Sequence, residues 1–199
     1  MNKVIISLLL VTFFSANALA INPPGTKKVK IDKEVIYIDQ NEIIVADWLE
    51  YINYLEHHYG KDSEELLSAY PNGITAKEMM AKEKLTHPLT GITHEQAVEY
   101  CKWRTAAVNT VNEETGLGKV EYTLPTEEQY RMLMKTFGSY EILSEKNKTE
   151  RITGLQSSVC ELTAEGSVLK NNGVFSKEET VPSANIGFRC VATIVKQKK

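Results

Sequence analysis

Cys101, Cys160 and Cys190 are the side chains of this sequence with the widest chemical range. A thiolate can attack as a nucleophile, hold a soft metal such as Cu(I), or join a second sulfur in a disulfide. In an oxidising compartment two of the three would pair and one would be left over, and counting alone leaves open which two. The four histidines form no metal-binding pattern. His57 and His58 are neighbours at a helix end and point to different faces, His87 precedes Pro88, and His94 falls in a first helical turn. There is no HExxH segment, Ser-His-Asp order or glycine-rich phosphate loop. The paired acids Glu64-Glu65, Glu127-Glu128 and Glu178-Glu179 read as solvated faces.

Whether the thiols oxidise depends on where the chain goes, and the first twenty residues bear on that. Lys3 is followed by the apolar run Val4 to Phe14 and the small-residue segment Ser15 to Ala20. That layout is a cleavable signal peptide, residues 1–20. The run has 11 residues, against the roughly 20 that a membrane span needs. No cysteine follows the expected cut, so the expected product, residues 21–199, is exported, periplasmic or secreted, soluble and not lipid-anchored. It reads as one domain, since no linker or repeat divides it. The formal net charge is −3, with both signs interspersed and one like-charge cluster at Lys196, Lys198 and Lys199. Nucleic acid and anionic membrane are therefore not expected partners.

The elements that must position these residues show in the hydrophobic period. Ile21 to Thr26 is a turn-rich lead-in, and Val29, Ile31, Val35, Ile36 and Ile38 suit one or two short strands before Asp39. Ile44, Trp48, Ile52, Leu55 and Tyr59, widened by Leu49 and Tyr51, then make an amphipathic helix over 44–59, closed by Gly60. Residues 61–90 are irregular, with a short helix over 75–84. Thr93 with Gln96 is a capping box that opens a helix whose inner face carries Ala97, Tyr100, Cys101, Arg104 and Val108. A second box, Thr126 with Gln129, opens a helix bearing Tyr130, Leu133, Met134 and Phe137. From Asn147 onward, scattered glycines and short apolar bursts predict short strands and long loops.

Four segments stand in a fixed order: Tyr37 to Ile43, Gly91 to Trp103, Leu124 to Tyr130, and Gly187-Phe188-Arg189-Cys190. Together they resemble the formylglycine-generating-enzyme or sulfatase-modifying-factor family over about residues 37–192. The resemblance implies an α+β domain similar to a C-type lectin fold, with short antiparallel strands, a few helices and much irregular chain. It also implies that Cys101 and Cys190 form a disulfide, because cysteines at those motif positions pair in the family. Closing a loop of that length would stabilise the fold by roughly 4 kcal/mol in the chain-entropy model.

The same resemblance implies what is missing. The family's oxidase reaction converts a sulfatase cysteine to formylglycine using copper held by two thiolates shortly upstream of the Gly-Phe-Arg segment. Thr163 to Ile186 contains no cysteine, and with Cys101 and Cys190 paired only Cys160 remains. Copper is thus not expected. Cys160 stands where the family has a tryptophan, so it reads as a small buried hydrophobe, with a reactive thiol as the minority reading. The surrounding segment binds calcium in the family; here the candidates are Glu161 and Ser158, and Ser158 replaces an asparagine with a poorer ligand. An iron-dependent branch of the family uses three histidines and an extra helical domain, neither of which is matched.

Two further departures concern the fold. The family's polar helix cap has become Glu42-Ile43-Ile44-Val45, at a cost of about 1 kcal/mol, and an interior arginine before Leu-Pro-Thr has become Thr123. The expected function is non-catalytic: a binding or accessory pseudoenzyme of the bacterial envelope with a protein or envelope ligand. Its Pro-Pro-Gly-Thr opening is similar to that of gliding-motility and secretion-associated lipoproteins with this domain, and an inhibitor or immunity role is of the same kind. The alternative is an oxidase or related protein-modifying enzyme with an altered active site.

Overall fold

The structure is a computed structural model that describes residues 22–31, 34–72, 74, 76–81, 84–115, 118–137, 152, 159–170, 172–177 and 182–195. The expected signal peptide, Ser158, Glu178-Glu179 and the terminal lysines lie outside these residues.

Alternating apolar residues give an antiparallel hairpin of β1 (Thr26–Ile31) and β2 (Glu34–Asp39), in register from Thr26 opposite Asp39 to Ile31 opposite Glu34. Val29, Ile36 and Ile38 are buried, while Lys28, Lys30 and Val35 are exposed. The hairpin is completed from far along the chain. β2 pairs with β8 (Val191–Val195), and β8 pairs with β3 (Lys119–Thr123), giving the antiparallel order β1-β2-β8-β3. β1 is an edge strand, and its lysines discourage pairing with another chain. A second sheet, in the order β6-β5-β4-β7, is built from β4 (Cys160–Leu162), β5 (Val168–Leu169), β6 (Phe175–Ser176) and β7 (Ile186–Gly187), with β4 and β7 parallel. Short, mainly antiparallel strands with helices beside them make this an α+β fold.

Helix α1 (Val45–Tyr59) starts at Ile44, which has no side-chain oxygen to cap it. The lost cap is half replaced, because Asp47 Oδ2 accepts from Ile44 N at 3.1 Å. Trp48, Tyr51, Ile52 and Leu55 face inward, whereas Tyr59, expected on that face, is 52% exposed. Gly60, at φ 97°, ends the helix and donates its N–H to Glu56 O at 3.0 Å.

The stretch read as irregular holds two short helices, α2 (Glu64–Ala69) and α3 (Ala76–Met79). Ser63 caps the first by accepting from Leu66 N at 3.2 Å. Helix α4 (His94–Thr115) opens with the expected box: Thr93 N donates to Gln96 Oε1 at 2.8 Å and Gln96 N to Thr93 Oγ1 at 3.1 Å. The second box opens α5 (Glu127–Phe137) in the same way, at 2.9 and 3.1 Å. Strand β3, which no periodicity announced, lies between them with only Val120 and Tyr122 buried. Thr123, where the family has an arginine, is on its exposed face.

The main core gathers around Trp48. Its ring stacks on Tyr100 at 5.3 Å and meets Tyr51 and Phe188 edge-on, and Nε1 donates to Ala69 O at 3.1 Å. Each such aromatic pair adds about 0.5–1.5 kcal/mol beyond the area it buries. A smaller cluster of Val29, Ile36, Ile38, Leu133, Ile152 and Val191 joins α5 to the hairpin.

Candidate functional site

Helix α4 turns Cys101 inward, and the chain leading into β8 brings Cys190 to meet it. Their Sγ atoms lie 3.4 Å apart, both buried. This is a contact between thiols, since a disulfide spans about 2.05 Å. Cys190 is fixed from both sides of its peptide: its N–H donates to Asp39 Oδ2 at 2.9 Å, and its carbonyl accepts from Asp39 N at 2.9 Å. Burial, then the hydrogen bond with Cys101, pushes the Cys190 thiol well above its ordinary pKa. Cys160 stands on the other sheet, opposite Ile186 in the register, and is 7% exposed.

This donor set does not fit the copper centre that the resemblance describes. Such a centre needs two thiolates with an open coordination position, whereas the adjacent pair here is enclosed and Cys190 is held as a thiol. Both oxygens of Glu161 are already taken: Arg189 Nη2 donates to Oε1, and Arg189 Nε and Tyr130 OH donate to Oε2, each at 2.6 Å. With Glu161 only 1% exposed, a hard cation would have to displace the guanidinium. Ser158 lies outside the described residues.

Arg189 thus ties the two sheets together. Beyond Glu161 on β4, its Nη1 donates to Asp39 O at 3.2 Å at the end of β2, and Glu42 Oε2 lies 3.8 Å from Nη2. Burial works against the charge on Arg189, but Glu161 more than offsets it and holds the guanidinium above its ordinary pKa. Gly187 is needed at its side, since a Cβ there would sit 2.5 Å from Leu89 O.

A second arginine forms a similar fork nearer the surface. Arg104 Nη1 and Nη2 donate to Asp39 Oδ2 and Oδ1 at 2.7 and 2.8 Å, and Nη2 also reaches Pro24 O at 2.9 Å. Tyr122 lies beneath it, 4.3 Å from guanidinium carbon to ring centre, and donates its OH to the same Pro24 carbonyl at 2.9 Å. The fork is the floor of a cleft of about 700 Å³ between the Pro24-Gly25 turn, residues 39–44, the start of α1 and the outer half of α4. Asp47 and Glu50 rim it, and Tyr100 and Trp103 form part of its wall. The remaining sequence candidates are dispersed. His57, His58 and His87 are exposed, and His94 Nε2 is engaged with Thr163 O at 3.0 Å.

With this geometry in place, the sequence can be set against known proteins. The model of the sulfatase-modifying factor enzyme 1-like domain matches residues 15–147. The chain belongs to that family. No curated protein and no solved structure matches it. For a sulfatase-modifying-factor domain, the matched stretch covers β1 to α5 and stops before Cys160, Glu161 and Arg189. The Arg104–Asp39 fork was the part missed by sequence reasoning. Arg104 was legible as an inward residue of α4 and Asp39 as a strand end, but no local pattern links positions 65 residues apart.

Proposed function

We propose that this chain is an exported, non-catalytic sulfatase-modifying-factor domain, a binding or accessory protein of the bacterial envelope, with a Cys101–Cys190 disulfide closing its scaffold. One observation carries the reading: the sulfurs of Cys101 and Cys190, both buried, face each other at 3.4 Å. Two of the three cysteines of the sequence are thereby turned toward one another, and Cys160 stands by itself on the other sheet. Oxidation of the pair would pass two electrons and two protons to the disulfide of an exchange partner, reducing it to a dithiol, and would need the sulfurs to close by only about 1.4 Å. A domain so closed presents loops on a rigid frame, an arrangement suited to recognition.

The test is a thiol count on unfolded protein purified from the exported fraction, together with an aldehyde assay on a cysteine-containing sulfatase peptide with added copper. One free thiol, a Cys101–Cys190 peptide after proteolysis, and no aldehyde are expected. Three free thiols would remove the bridge, and copper-dependent aldehyde formation would overturn the non-catalytic reading.

A further inference from the structure

The cleft over the Arg104–Asp39 fork has a chemistry that the reading above does not use. Its volume, about 700 Å³, is in the range of ligand sites. Among the described residues, none that lines it comes from Thr163 to Ile186, the stretch in which the family's thiolates would lie. On one side α4 presents Ala107, Val108 and Val111, with Val111 51% exposed. On the other side, Asp47 and Glu50 stand three residues apart on α1, and neither has an ion-pair partner among the described residues. Arg104 is the one cation among the described lining residues. Both its terminal nitrogens are occupied by Asp39 and Pro24 O, so it offers no fork to an anion. The cleft therefore combines net negative charge with an apolar wall. A lysine or arginine side chain matches both, with methylenes for the wall and a charged head for the rim.

We infer that this cleft docks an extended, basic stretch of a partner polypeptide, in which lysine or arginine alternates with small apolar residues. Charge complementarity selects the partner. The Asp47 and Glu50 carboxylates receive the cations, and Ala107, Val108 and Val111 cover the apolar positions between them. The floor is preformed, because Gly25 (φ +78°) packs against Arg104 so closely that a Cβ would collide with its guanidinium. This deepens the binding reading and rests on it, but the aldehyde assay and the docking assay fail separately.

The experiment uses the full chain and a fluorescein-labelled, capped peptide alternating lysine with valine, with a glutamate–valine peptide as the contrast. Fluorescence anisotropy should report saturable binding of the lysine peptide, weakening as salt is raised, and no binding of the glutamate peptide. The Asp47→Asn/Glu50→Gln double variant should weaken binding about tenfold, while its thermal midpoint stays close to that of the parent. Val111→Asp, on the exposed face of α4, should weaken it as well. Equal binding of both peptides, or a double variant that binds as the parent does, would overturn the proposal. So would a chain ending at Val195 that binds the lysine peptide at least tenfold more tightly, which would make the chain's own lysines the occupant. A dimer in sedimentation that the double variant dissociates would assign the cleft to a second copy and overturn the proposal equally.

Discussion

Arg189 and Arg104 each grip a carboxylate with two nitrogens, yet their surroundings differ. The Arg189–Glu161 pair is sealed, with side-chain exposures of 0% and 2%, whereas Arg104 and Asp39 retain 13% and 6% at the floor of a cleft. The first pair joins β4 to the segment before β8, and Tyr130 of α5 closes it from above. The second holds the lead-in turn at Pro24 against α4 and β2. Inside the protein, a carboxylate without its partner has no water to replace it. Beside the cleft, water is close enough to take over part of the bond. The same residue chemistry therefore serves as a structural tie in one place and as a preformed binding floor in the other.

Three substitutions would break or sharpen this contrast. Arg189→Met should have the largest effect, destabilising the fold by about 3–5 kcal/mol because buried Glu161 loses its cation and keeps only the Tyr130 hydroxyl. The urea midpoint measures this, and Arg189→Met/Glu161→Leu should recover much of the loss. If the single variant unfolds at the parent's midpoint, the tie is not structural. Arg104→Met should cost less, about 1–2 kcal/mol, since Asp39 keeps its bonds to the backbone of Cys190 and faces the cleft. Equal losses at the two sites would erase the distinction.

Tyr122→Phe should cost the least near neutral pH, about 1 kcal/mol for its hydrogen bond to Pro24 O. Its clearer signature is alkaline. Burial pushes Tyr122 and Tyr51 up to about 12, from the ordinary 10 at which the unfolded chain ionises. Between those values the unfolded state has released protons that the folded state still holds, so stability falls as pH rises from about 10 to about 12. Tyr100 and Tyr130, pushed higher still by burial, extend the fall. Removing Tyr122 should lower the slope of stability against pH by one proton in that window. An unchanged slope would mean that Tyr122 titrates freely in the folded state.

Much of this organisation was legible in local sequence. Both capping boxes, Gly60 as a helix stop and the inward placement of Cys101 follow from spacing within one or two turns, where each side chain reaches only its own helix. Strand β3 escaped because its five residues bury only Val120 and Tyr122, too few to mark a period. Helix α2 escaped because Leu66 and Ala69 are its only buried positions. At the site, Glu161 reads as a calcium candidate only through the family resemblance, and nothing in its own segment points to an arginine. Its partner in the fold, Arg189, is 28 residues downstream, and the register of β4 on β7 brings them together.

The position of β8 also sets an order of events. The first hairpin to emerge during synthesis, β1 with β2, has as its sheet neighbour a strand made of residues 191–195, and Arg189 bonds to the carbonyl of Asp39 across 150 positions. Until residues 189–195 arrive, β2 and β3 both present open edges, and the Glu161 carboxylate lacks its cation. Closure of the domain is therefore a late, long-range step with a high contact order, which slows folding. A nascent chain of this protein leaves its first sheet unfinished until residues 191–195 have been made.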